Sequence, residues 1–180
     1  MKLLVFGIVR TLTIMSKYAQ GTLARMIEVA LAEVGTVEGP KDNETKYGAF
    51  TKRNFLPWCG SFLMWAGHEA GVSVPDCVST KDGAEHFKSS NHWFTEPKIG
   101  DFVFYDFIDD DKTIINHIGL VIRCSDKAIV TVEGNTSPAG KDRNGGQVML
   151  KTRSLGNHSG IVGFGRPNYK APIKPTQEKP

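Results

Sequence analysis

The sequence predicts an α+β fold, with helices gathered early in the chain and an antiparallel sheet in its second half. First, Leu23, Met26, Ile27, Ala30, Leu31 and Val34 recur at steps of three and four, the mark of a helix with one buried stripe. Second, residues 58–70 follow Pro57, are apolar on most sides and stop at Gly71, which describes a central buried helix. Third, the period changes after residue 100. The segments 101–107, 116–124, 128–135, 147–153 and 160–167 are rich in β-branched and aromatic residues and are separated by turn-forming clusters. Helices followed by a run of strands place the chain in the α+β class.

In chain order, residues 1–20 read as an N-terminal extension. Lys2 precedes a short apolar stretch that Arg10 interrupts, no small-x-small cleavage site follows, and the stretch is too short to cross a bilayer as a helix. The clean helix entry after Met15 makes that residue the expected functional start; secretion is expected only if residues 1–15 act as a signal. Residues 21–169 form the expected catalytic domain. Within it the helix over 22–34 stops at Gly35, Glu38–Gly48 is a polar loop, and a short helix is expected around Ala84–Phe87. Segment 134–146 is a long Gly/Asn/Asp loop, and the Pro/Lys-rich residues 170–180 are expected to be a disordered tail.

Composition bounds the function loosely. The chain has 180 residues, 40% hydrophobic and 23% charged, enough for one domain with a real core. A net charge of +3 without a dense Lys/Arg stripe argues against nucleic acid as partner; a mild basic excess suits an anionic polymer among many other things. Of the three cysteines, Cys59, Cys77 and Cys124, at least one is unpaired, and no C-x-x-C spacing points to zinc or a redox dithiol. Three thiols is the simplest reading, with a Cys77–Cys124 disulfide left open.

The chemistry centres on "NFLPWCGSFLMWAG". Cys59 opens the buried helix, where unpartnered N–H groups and the positive dipole end favour a thiolate. The competing reading is a buried cysteine that merely packs. A nucleophilic cysteine needs a base, and the base needs an orienting group. His117 sits in the strand-like "INHIGLVI" among apolar neighbours, where a polar side chain requires a partner. Glu133 and Asn135 lie two apart in the next strand and share a face if that strand continues, so either can hold the imidazole. His68 lies nine residues beyond Cys59, too far along the helix to serve it.

"PWCGSFLMWAGHEAGV", "GDFVFYDF", "INHIGLVIR" and "VEGN", in that order, resemble the CHAP domain (cysteine, histidine-dependent amidohydrolase/peptidase) of the papain-like NlpC/P60 superfamily, over about residues 25–168. The resemblance implies a papain-like fold with N-terminal helices packed on an antiparallel β-sheet. It implies Cys59 as nucleophile, His117 as general base, and Glu133 and Asn135 as the residues that orient it. Tyr47 in "KYGAF" and Trp58 beside the nucleophile are expected to bind substrate. The implied function is a peptidoglycan hydrolase, either N-acetylmuramoyl-L-alanine amidase or peptide endopeptidase. The expected setting is a bacteriophage endolysin, an antimicrobial hydrolase of cell lysis, held in the host cytoplasm until its release to the wall.

Neither metal nor organic cofactor is required by this chemistry. Some CHAP domains bind calcium, but Asp42, Asn43 and Glu44 are too few ligands to claim a site here, and Asp109–Asp111 reads as a solvated turn. The partner is bacterial peptidoglycan, met as a monomer and without membrane insertion. Three alternatives stand beside this reading: a bacterial autolysin, a catalytically inactive wall-binding module of the same fold, and an intracellular cysteine amidase or transglutaminase-like enzyme.

Overall fold

The computed structural model describes residues 16–107, 114–138, 144–156 and 159–172. Four helices come first: α1 (Leu23–Ala32), α2 (Lys46–Phe50), α3 (Cys59–Ala70) and α4 (Thr80–Ser89). Six strands follow: β1 (Trp93–Phe94), β2 (Phe102–Tyr105), β3 (His117–Cys124), β4 (Ala128–Thr136), β5 (Gln147–Ser154) and β6 (Ile161–Gly165). The strands form one sheet in the order β1-β6-β2-β3-β4-β5, and neighbouring strands run antiparallel throughout. The structure is therefore α+β, with helices packed on an antiparallel sheet as expected.

Local chemistry sets each helix end. The Thr22 hydroxyl accepts from Arg25 N and starts α1, the Thr45 hydroxyl does the same for α2, and Ser79 does so for α4. Helix α3 differs: its N-cap is Trp58, whose side chain makes no capping bond. The first turn of α3 thus keeps its N–H groups and dipole uncovered by any capping side chain.

Alternation along the strands divides the sheet into two buried faces. Phe102, Phe104, Ile118, Leu120, Val132 and Val148 join the large core beneath the helices, with Met26, Phe62, Leu63 and Phe87. Val103, Tyr105, Val121, Ile129 and Phe164 form a second, smaller cluster. Because both faces are covered, the polar residues that alternate with these apolar ones are buried too, and each needs a partner.

The termini of the domain meet: Lys170 N donates to Gly21 O at 2.8 Å, so the ordered chain runs past the expected domain end at residue 169. Helix α4 is longer than expected, α2 begins inside the stretch read as a polar loop, and β1 lies where the sequence analysis assigns no element. All three cysteines are free; Cys77 is buried and Cys124 exposed, so the disulfide left open by the sequence is not formed. The first fifteen residues, Asp109–Asp111 and most of the expected tail lie outside the described residues.

Candidate active site

Cys59 is the first residue of α3, held in place by a close backbone approach. A Cβ on Gly60 would stand 1.7 Å from Cys77 O, so only glycine lets the helix start against that strand-like segment. Cys59 itself is 2% exposed and lines a pocket of about 260 Å³. Leu56, Pro57, Val78–Lys81, Ile115 and Asn116 line it together with Cys59. The Thr80 hydroxyl donates to Ile115 O at 3.0 Å, tying the start of α4 to the segment that leads into His117.

His117 begins β3 and is wholly buried. Its Nε2 lies 3.0 Å from Glu133 Oε2. Since that carboxylate is ionised, Nε2 carries the proton and donates. Nδ1 is buried without a hydrogen-bond partner among the described residues, and it is the nitrogen left for Cys59. Cys59 is the neighbouring group that acts on this imidazole from α3. Burial opposes charging His117, but the nearby Cys59 sulfur and the Glu133 carboxylate outweigh it and raise its pKa to about 9.

Glu133 is the best-held group of the site. Beyond His117 it accepts from Thr131 Oγ1 at 2.6 Å and Tyr105 OH at 3.2 Å. Arg153, from β5, grips it at two points, Nε to Oε1 at 3.0 Å and Nη2 to Oε2 at 2.5 Å. Burial alone would raise the carboxyl pKa; the bonds from His117 and Arg153 reverse this and hold it well below the ordinary carboxylate value. Space for the carboxylate comes from Gly119, where a Cβ would stand 2.7 Å from Glu133 Cγ. The "HIG" step in β3 is therefore what lets a side chain of β4 lean across to the histidine.

Three residues expected at the site have other surroundings. Asn135 turns to the loop that follows β4. The β4–β5 register breaks between Glu133 and Thr136, and Asn135 takes a φ of +56°, a left-handed conformation that asparagine tolerates. Its amide donates to Asn144 Oδ1 at 3.0 Å and accepts from Gly146 N at 3.1 Å, so it fastens the loop that follows β4. Trp58 and Tyr47 are both 0% exposed, and neither lines the pocket beside Cys59. They stack with centroids 5.3 Å apart, Trp58 Nε1 donates to Glu38 at 3.0 Å, and Tyr47 OH donates to Glu33 at 2.5 Å. They brace α3 from behind rather than line the cleft. Leu56, 47% exposed, is an apolar side chain that does line it.

Arg153 is a residue of this cluster that the sequence motifs do not single out. A signal existed: a carboxylate in the apolar "AIVTVEGN" strand demands a cation from a neighbouring strand, and "QVMLKTR" offers Lys151 and Arg153. Asp101, read as a turn residue, is buried and paired at two points with Arg166, at 2.7 and 2.8 Å. Among the described residues no group of three or more His, Cys, Asp or Glu is placed to hold a metal ion, and no helix is long and apolar enough to cross a membrane.

No family model matches the chain, and no curated protein matches it. Among solved structures the chain is similar to a Staphylococcus aureus protein described as similar to a lipoprotein of the NLP/P60 family. The TM-score is 0.47 and the identity 14%, over 88% of this chain. The chain spans 45% of the length of that protein.

Proposed function

We propose that the protein is a cysteine hydrolase of the CHAP type that cleaves amide bonds of bacterial peptidoglycan. One observation carries the reading: a buried histidine donates Nε2–H to a buried carboxylate and leaves Nδ1 for a cysteine at an uncapped helix start. That is nucleophile, base and orienting group on three separate elements, with Cys59 lining a cleft and His117 and Glu133 buried behind it.

In this reading Cys59 attacks the amide carbonyl as thiolate, paired with the His117 imidazolium. N–H groups of the first turn of α3 receive the oxyanion. His117 protonates the leaving amine, the Cys59 thioester forms, and the now neutral imidazole draws a proton from water for hydrolysis. Glu133 keeps Nε2 protonated and the ring in one orientation throughout. Every step is supplied by side chains and backbone of this chain, and calcium has no assigned role.

The bond cut is either muramoyl-L-alanine or one within the peptides. A phage endolysin, acting as a monomer and kept in the host cytoplasm until release to the wall, is the setting we favour; a bacterial autolysin is the alternative. An inactive wall-binding module is disfavoured by the completeness of the Cys59–His117–Glu133 set. Turbidity of purified Gram-positive sacculi tests the proposal. Wild-type protein is expected to clear them while Cys59→Ala does not; equal, flat traces for both proteins would reject it.

A further inference from the structure

We propose that Arg153 is a positioning residue of this site, acting on Cys59 and His117 through Glu133. The inference rests on the reading of Cys59 as nucleophile. Arg153 is 8% exposed, and its guanidinium meets both oxygens of a carboxylate that has no exposure. Oε2 is shared, receiving His117 Nε2–H at 3.0 Å and Arg153 Nη2–H at 2.5 Å. Two-point binding by a planar fork fixes the plane of the carboxylate, and through it the plane of the imidazole. Lysine, with a single ammonium, cannot reproduce this.

Charge gives Arg153 a second consequence. The groups that face one another here are Cys59 from α3, His117 from β3, Glu133 from β4 and Arg153 from β5, with the Tyr105 phenol from β2 and the Thr131 hydroxyl. Burial, the Glu133 charge and its hydrogen bond keep the Tyr105 phenol neutral, with its pKa well above the ordinary value. Lys151 turns its ammonium to Ser137 O at 2.6 Å and stays out of the cluster. In the reactive state the order is thiolate, imidazolium, carboxylate, guanidinium, so the signs alternate and sum to zero. Remove the guanidinium and the same state carries a net buried negative charge. Ionising Cys59 then becomes harder, because the proton leaves a site already short of positive charge.

The test is the pH dependence of iodoacetamide alkylation at Cys59, read by peptide mass spectrometry so that exposed Cys124 does not interfere, in wild type, Arg153→Met and Arg153→Lys. In Arg153→Met the acid limb is expected to move to higher pH by roughly half a unit or more. In Arg153→Lys the charge stays, so the limb is expected near its wild-type position while sacculus clearance falls about tenfold for want of the two-point grip. A folded Arg153→Met protein with an unmoved limb would overturn the proposal. If Met at this position prevents folding, Arg153→Lys decides alone: clearance equal to wild type would overturn it. Failure of the underlying reading looks different, since wild-type Cys59 would then alkylate no faster than a free thiol at any pH.

Discussion

At the scale of single residues, charge and hydrogen bonding in a buried cluster determine what the site can do. The His117 pKa, raised to about 9, favours imidazolium across neutral pH. A group whose folded pKa lies above its unfolded value near 6.5 stabilises the fold fully below that value and loses the contribution as pH rises through the folded one. Stability is therefore expected to decline between about pH 6.5 and 9 on account of His117, and His117→Gln should flatten that part of a melting-temperature profile. Activity should fall on an alkaline limb near pH 9, as the proton needed by the leaving amine is lost. Glu133 has the opposite sign: its depressed pKa gives stability above the ordinary carboxylate range that is lost only well below it.

Glu133→Gln is a sharper probe. It keeps the shape but leaves Arg153 buried beside a neutral amide, which costs about 3–5 kcal/mol. It also loosens His117, which should lower sacculus clearance by on the order of 10²-fold or more. Chemical denaturation and turbidity measure the two effects. That Cys59, His117 and Glu133 come together was legible in the sequence because a thiol, an imidazole and a carboxylate stood in a helix and strands of clear period. Asn135 has other surroundings because strand alternation does not carry through the register break between Glu133 and Thr136, a break that Gly134 already hints at in the sequence. Trp58 and Tyr47 were misplaced because adjacency in sequence to a nucleophile says nothing of which side of the helix a ring occupies.

At the scale of elements, two glycines hold the parts of the site in register. Gly119 makes room for Glu133, and Gly60 lets α3 begin against the Cys77 backbone. Gly119→Ala would push against a carboxylate held by five hydrogen bonds from four residues, His117, Tyr105, Thr131 and Arg153. It is expected to cost about 1–3 kcal/mol and most of the activity. Gly60→Ala meets backbone, which cannot turn aside, and should leave little folded protein on a thermal melt. Periodicity revealed α1, α3 and the five long strands. It did not reveal α2, which has only five residues and takes its start from the Thr45 hydroxyl. Nor did it reveal β1, a two-residue strand that exists because β6 comes to lie beside it.

At the scale of the whole molecule, chain order and sheet order differ in one respect that matters. β6, last in sequence, lies between β1 and β2. Phe164 pairs with both Phe94 and Val103, so the sheet is incomplete until the C-terminal strand arrives. Arg166, just beyond it, clamps buried Asp101 at two points, and Lys170 closes onto Gly21. A chain ended at residue 159 would leave two unpaired strand edges and an uncompensated buried Asp101, and is expected to be insoluble or without a cooperative melt. Ending it after residue 172 should preserve the melt. This insertion was invisible in the sequence, since strand segments reveal their period but not their neighbours.

The most direct measurement is mass spectrometry of fragments released from purified, chemically defined peptidoglycan. Wild-type protein is expected to generate one class of new amine terminus, at muramoyl-L-alanine or within the peptides, and Cys59→Ala none. Wall fragments unchanged by wild-type protein, or new termini that persist undiminished in Cys59→Ala, would contradict a site built on Cys59, His117 and Glu133.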